Sequence, residues 1–116
     1  MATRDAVSDL IRGNIDAIIL NVLSRSDSYG YEVLKEIAAA SRGEYEMKEP
    51  SLYTSLKRLE GQGFVVSYWG DETQGARRKY YRVTEEGMRE LVEATKRWVR
   101  VRNIIDQLLN QDGGDR

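Results

Sequence analysis

Apolar residues recur along most of this chain in a helical rhythm, and alternate in a strand rhythm over only two short stretches. Ile11, Ile15, Ile18, Ile19, Val22 and Leu23 fall at three- and four-residue spacing, which predicts a first helix over about residues 5–24 with one broad buried face. Gly13 and Asn14 weaken it locally, so Ala6, Val7 and Leu10 can belong to a separate arm that packs on another subunit. Turn formers at 24–28 end this element. Val33, Leu34 and Ile37 mark a second helix over about 30–40, stopped by Ser41, Arg42 and Gly43.

A third helix begins near Pro50, whose missing amide proton costs nothing in a first helical turn, and runs to about Gln62. Leu52, Leu56 and Leu59 point inward, while Ser51, Thr54, Ser55, Lys57, Arg58 and Gln62 take much of the remaining circumference. Gly61 and Gly63 form the exit, with Gly63 expected at positive φ. Residues 64–69 and 79–83 read as two strands joined by a glycine-containing turn at 70–76. Thr84 is a good N-cap for a last helix, although Gly87 takes the third helical position that a capping box gives to glutamate.

That last helix continues to about Asn110, with Leu91, Thr95, Trp98, Arg102, Ile105 and Leu109 repeating at alternating four and three residues. Some 25 residues span roughly 37 Å, more than a small module needs for its own core. The economical partner for the excess is the same helix in a second copy. The predicted fold is mainly α with a small β hairpin: a winged helix-turn-helix over 1–83, a dimerisation helix over 84–110 and a disordered tail at 111–116.

Composition narrows the chemistry. The 116 residues suffice for one compact domain and a long extra helix, and 41% hydrophobic with 32% charged residues suits a soluble protein. With neither cysteine nor histidine, disulfides and cysteine-based zinc sites are excluded and common catalytic sets lose their main members, so no metal or cofactor is expected. No basic segment with an apolar core opens the chain, and no apolar run approaches the roughly 20 residues of a membrane span. A cytoplasmic location without membrane insertion is expected. The net charge of −1 conceals a gradient: residues 1–50 hold six basic and nine acidic side chains, 51–82 six and three, and 83–116 six and seven. A locally positive middle can attract phosphates while the rest of the surface stays acidic.

Candidate functional residues follow from that middle segment. Ser51, Thr54 and Ser55 are short hydrogen-bonding groups able to approach bases or phosphates, and Lys57 and Arg58 reach the backbone unless they only solvate the helix. Tyr53 either donates to a phosphate or sits half-buried beneath the helix. Arg77, Arg78, Lys79 and Arg82 lie within six residues after the turn, consistent with a DNA-contacting wing or with an ordinary charged hairpin. Of Tyr80 and Tyr81, one packs on the core and the other faces out. Trp98 either fills a dimer core or lines a cavity for a flat apolar compound, with Ile15, Leu91, Thr95, Arg102 and Ile105 around it. Arg102 on an apolar stripe requires water or an acidic partner.

In order and spacing these residues resemble the PadR family of bacterial transcriptional regulators, in its small form with a single C-terminal helix. The matching marks are Ile19, Leu20 and Leu23; Gly30-Tyr31-Glu32; Ser51-Leu52-Tyr53; Leu56-Lys57-Arg58-Leu59-Glu60; Gly63; Lys79-Tyr80-Tyr81; and Thr84-Glu85 with Gly87. Where the family commonly has proline before Gly-Tyr, this chain has Asp27-Ser28-Tyr29. The resemblance implies a homodimer that binds promoter DNA through a winged helix in each subunit. It further implies a repressor role, and in some members aromatics of the last helix line a pore for phenolic or multidrug ligands, where Trp98 falls. The competing expectation is a protein-interaction adaptor on the same scaffold. An enzyme is disfavoured, since Ser51 and Lys57 lean to different faces of their helix.

Overall fold

The hydrophobic periodicity is realised as three short helices around one core, followed by a sheet and a long helix. The computed structural model describes residues 2–110, with side chains from Ala6 onward. Helix α1 spans Ala2–Ile11 and α2 spans Ile15–Leu23, separated by a 3-10 turn over Arg12–Asn14. The single first helix expected from the sequence is therefore broken, at the Gly13-Asn14 pair that weakened it. Strand β1 is Ser28–Tyr29, α3 is Gly30–Ala40 and α4 is Glu49–Gly61, with Pro50 in the first turn of α4. Strands β2 (Val65–Trp69) and β3 (Lys79–Val83) precede α5, Glu85–Leu109.

The sheet has three strands in the order β1-β3-β2, all antiparallel, rather than the two of a simple hairpin. Ser28 pairs with Tyr81 and Tyr29 with Tyr80, while Ser67 and Tyr68 face the same two residues from the other side. Two residues are too short for any periodic signal, and Ser-Asp-Ser reads as a turn, so the sequence hid this strand. Gly63 has φ +81°, as expected for the exit from α4.

Ile19, Leu20 and Leu23 of α2, Val33 and Ile37 of α3, Leu52, Leu56 and Leu59 of α4, and Val65 and Tyr81 of the sheet form one core, with Met47 closing it from the α3–α4 connection. The start of α5 is fastened to this body at Thr84. Its hydroxyl donates to the Gly63 carbonyl (2.7 Å) and accepts from the Gly87 N–H (3.0 Å), while its backbone N–H donates to the Phe64 carbonyl. A side chain at Gly87 would run into that Phe64 carbonyl and into Val83, so close approach of helix and strand explains why the capping position holds glycine.

Beyond that anchor α5 packs on α2, with Leu91 against the core, and only its outer part leaves the body. Every residue from Val101 to Leu109 is exposed, although Val101, Ile104, Ile105, Leu108 and Leu109 are apolar. The radius of gyration, 16.7 Å, exceeds the roughly 13 Å of a compact chain of this length. The expected tail at 111–116 lies outside the described residues.

Candidate nucleic-acid interface

The segment singled out by charge comprises α4, the two strands after it and their connecting loop. On α4 the apolar spacing buries Leu52, Leu56 and Leu59 against α2 and α3, which turns Tyr53, Thr54 and Lys57 to the outside. Ser51 is half-buried. One expectation for this helix is corrected. Ser55 is 3% exposed, not on the outer face: it follows Leu52 by three residues and precedes Leu56, which sets it on the inward side. Arg58, expected to reach the phosphate backbone or only to solvate the helix, is exposed and engaged within the chain. Its Nε and Nη2 donate to both carboxylate oxygens of Asp16 on α2 (3.1 and 2.6 Å), and Nη2 also reaches Ser55 Oγ (3.0 Å). Such a two-point grip links α4 to α2 at the surface.

Tyr53 stands about half-buried at the edge of α4. Its ring is partly exposed, and its phenol end lies over the first residue of α3, where a Cβ on Gly30 would collide with the hydroxyl. The Gly30-Tyr31-Glu32 motif thus owes its glycine to a tyrosine 23 positions later.

The wing is more internally bonded than its charge suggests. On the outer face of the sheet Tyr68 and Tyr80 stack at 5.7 Å, and Tyr29 meets Tyr80 edge-on at 5.5 Å. An arginine closes each end of this row, Arg82 over Tyr68 at 5.0 Å and Arg78 over Tyr29 at 4.7 Å. Each arginine also meets a carboxylate that accepts from a tyrosine hydroxyl. Asp27 takes Tyr68 Oη (2.5 Å) and Arg82 Nε (3.1 Å); Glu72 takes Tyr80 Oη (2.9 Å) and lies 3.6 Å from Arg78 Nη1. The outer face is therefore close to neutral, and Asp27 joins it from a segment the local charge count did not include. Tyr81, on the opposite face, is buried.

The hydroxyls feel these partners. The bond to Asp27 raises the Tyr68 pKa and the bond to Glu72 raises that of Tyr80, each with a smaller contribution from burial. Glu72 is held below its ordinary carboxylate value by its own backbone N–H and then by the Tyr80 hydroxyl.

Three cations of the segment keep donors free for an outside anion. Lys57 has no charged partner among the described residues, Arg77 spends only Nε on the Gly70 carbonyl (3.0 Å), and Lys79 is exposed with its ammonium 5.9 Å from the Tyr81 ring.

The residues expected around Trp98 divide between two clefts. Leu91, Thr95 and Trp98 line one of about 540 Å³, bounded by Val7, Leu10 and Ile11 of α1 together with Ala17 and Ile18 of α2. Trp98, Arg102 and Ile105 line a second, of about 950 Å³, beneath the outer part of α5. Ile15 packs against the core and lines neither. Arg102 is exposed, so the stripe opens to water there. No group of three or more acidic side chains among the described residues is arranged to hold a metal ion, and no described helix is long and apolar enough to cross a membrane.

A helix pair, α3 and α4, followed by a two-stranded wing whose second strand also pairs with a short strand before α3, defines the winged-helix class. Within it, the chain belongs to the transcriptional regulator PadR-like family, whose model matches residues 19–93. Members of this family are regulators of transcription and not enzymes. A protein of Lysinibacillus sphaericus is 42% identical over 99 residues, which are 85% of this chain and 91% of that one. A transcriptional regulator from Clostridium thermocellum superposes with a TM-score of 0.80 at 41% identity, over 85% of this chain and 96% of its own. The Bacillus subtilis PadR protein, solved in complex with operator DNA, shares the fold at a TM-score of 0.62 and 23% identity, over 68% of this chain and 45% of its own.

Proposed function

We propose that this protein is a homodimeric repressor that binds operator DNA, with α4 in the major groove and the wing on the flanking backbone. The observation that carries the reading is the division of α4: its leucines and Ser55 are buried, and Tyr53, Thr54 and Lys57 stand outward on the second helix of a helix-turn-helix. The operator complex of the Bacillus subtilis relative supports the same use of the fold. Within the interface, Thr54 and Tyr53, with Ser51 at the start of the helix, serve base or sugar-phosphate contact. Lys57, Arg77 and Lys79 neutralise phosphates.

The dimer is formed by α5. Five exposed apolar residues in its last nine positions have no cover among the described residues, and a second copy supplies one of matching length. An apolar or aromatic effector occupies the cleft beside Trp98, whose volume suits a small molecule. Binding there shifts α5 against α2 and changes the separation of the two α4 helices.

The test is duplex selection from genomic fragments, followed by titration of the recovered site. Lys57→Gln, Arg77→Gln and Lys79→Gln together are expected to weaken binding, with the dimer intact. The dependence of log K on log salt should flatten by about 0.9 for each phosphate that is no longer neutralised. Unchanged affinity in a variant that still dimerises rejects the reading and favours recruitment of a protein partner.

A further inference from the structure

We infer that Glu72 is a built-in competitor for the DNA backbone: it holds Arg78 as an internal counter-ion and thereby limits the affinity of the wing for duplex DNA. The inference rests on the proposed DNA-binding reading and adds a residue that acts against it.

Three interactions aim Glu72 at this position. Its Oε2 accepts from Tyr80 Oη at 2.9 Å, its Oε1 accepts from the Arg78 backbone N–H at 3.3 Å, and the Arg78 guanidinium stands 3.6 Å from Oε2. Gly70 makes room, because a Cβ there would collide with the Glu72 carboxylate and the Tyr80 ring. The two hydrogen bonds hold the carboxylate whether or not the Arg78 side chain is present. The ion pair is the longest of the three, and Arg78 is about half exposed while Glu72 is 22% exposed. The guanidinium is thus the partner able to leave.

Its departure has a cost set by the site. A phosphate that takes Arg78 leaves Glu72 fixed and uncompensated beside a polyanion, so part of the gain from counter-ion release is returned. Neutralising Glu72 removes that opposition while keeping an acceptor for Tyr80. Asp71, the adjacent carboxylate, makes no side-chain hydrogen bond or ion pair among the described residues, and offers a control of equal charge on the same loop.

The experiment measures binding of the full chain to a labelled random-sequence duplex between about 50 and 200 mM salt, the range over which phosphate interactions are resolved. Glu72→Gln is expected to tighten binding by about eightfold for each wing engaged near 0.1 M salt and to steepen the salt slope by about 0.9 per wing, the signature of one more neutralised phosphate. Asp71→Asn is expected to give less than half of that gain. Adding Arg78→Ala to Glu72→Gln is expected to abolish it. Equal gains from Asp71→Asn and Glu72→Gln, or a gain that survives removal of the Arg78 side chain, overturn the inference. If the unmodified protein binds no duplex even at low salt, the DNA-binding reading fails first, and with it this one.

Discussion

The wing and the outer half of α5 are both solvent-facing, yet they are finished to different degrees. On the wing, Arg78 and Arg82 have carboxylate partners and the tyrosines stack on one another, so the outer face is complete within one chain. On α5, Ile104, Ile105, Leu108 and Leu109 are exposed with nothing over them among the described residues, although the charged residues of the helix pair along its surface, as Arg97 does with Glu90 and Lys96 with Glu93. The difference teaches where each region expects its partner. Exposed ion pairs contribute little to stability and exchange readily for other ions. Uncovered apolar surface has no such substitute in water, and calls for burial.

The most disruptive way to break this contrast is to make the end of α5 as polar as the wing. Ile105→Asp with Leu109→Asp is expected to turn the dimer into a folded monomer, read by sedimentation, and to lower operator affinity by more than about 100-fold, because two half-sites are then bound independently. A variant that stays dimeric would remove α5 as the interface.

A smaller effect is expected at the boundary between the two regions. Gly87→Ala puts a methyl group against the Phe64 carbonyl, which is backbone and cannot swing away. A decrease of about 1–3 kcal/mol in chemical denaturation is expected, the range for forced overpacking. Wild-type stability in this variant would mean that α5 can slide on the wing.

The mildest perturbation is pH. Tyr68 and Tyr80 have raised pKa values, so what their hydroxyl bonds contribute is fully present below the ordinary tyrosine value of 10.0 and is lost as pH rises through the raised ones. Glu72 has a lowered value, so its contribution is present above the ordinary 4.5 and lost as pH falls through the lowered one. Phenolate absorbance should therefore show Tyr68 and Tyr80 titrating above the ordinary 10.0, and Glu72→Gln should return only Tyr80 toward it. Titration of Tyr68 and Tyr80 at the ordinary value would show that the row does not persist in solution.

These differences also mark how far the sequence could be read. The range expected for α3 and the strand at 79–83 coincide with the structure, since apolar spacing, flanking turn formers and aromatic alternation are local signals. Ser55 was within reach too: spacing from Leu52 and Leu59 places it inward, but its polarity suggested the opposite face. The grips of Asp16 on Arg58 and of Asp27 on Arg82 were not legible. Their partners are separated by 42 and 55 positions, and no local pattern distinguishes a clamped arginine from a free one.

The fit between Tyr53 and Gly30 reaches beyond one chain. The two residues are a matched pair, the bulk of one occupying the space the other gives up. Grafting a foreign α4 onto this scaffold to retarget it therefore transfers only half of the fit. A chimaera that keeps Gly30 but replaces Tyr53 by a small residue gains an empty notch at the start of α3, and one that keeps Tyr53 under a larger residue at 30 must expel the ring. Redesign of the reading helix has to treat residues 30 and 53 as a single heritable unit.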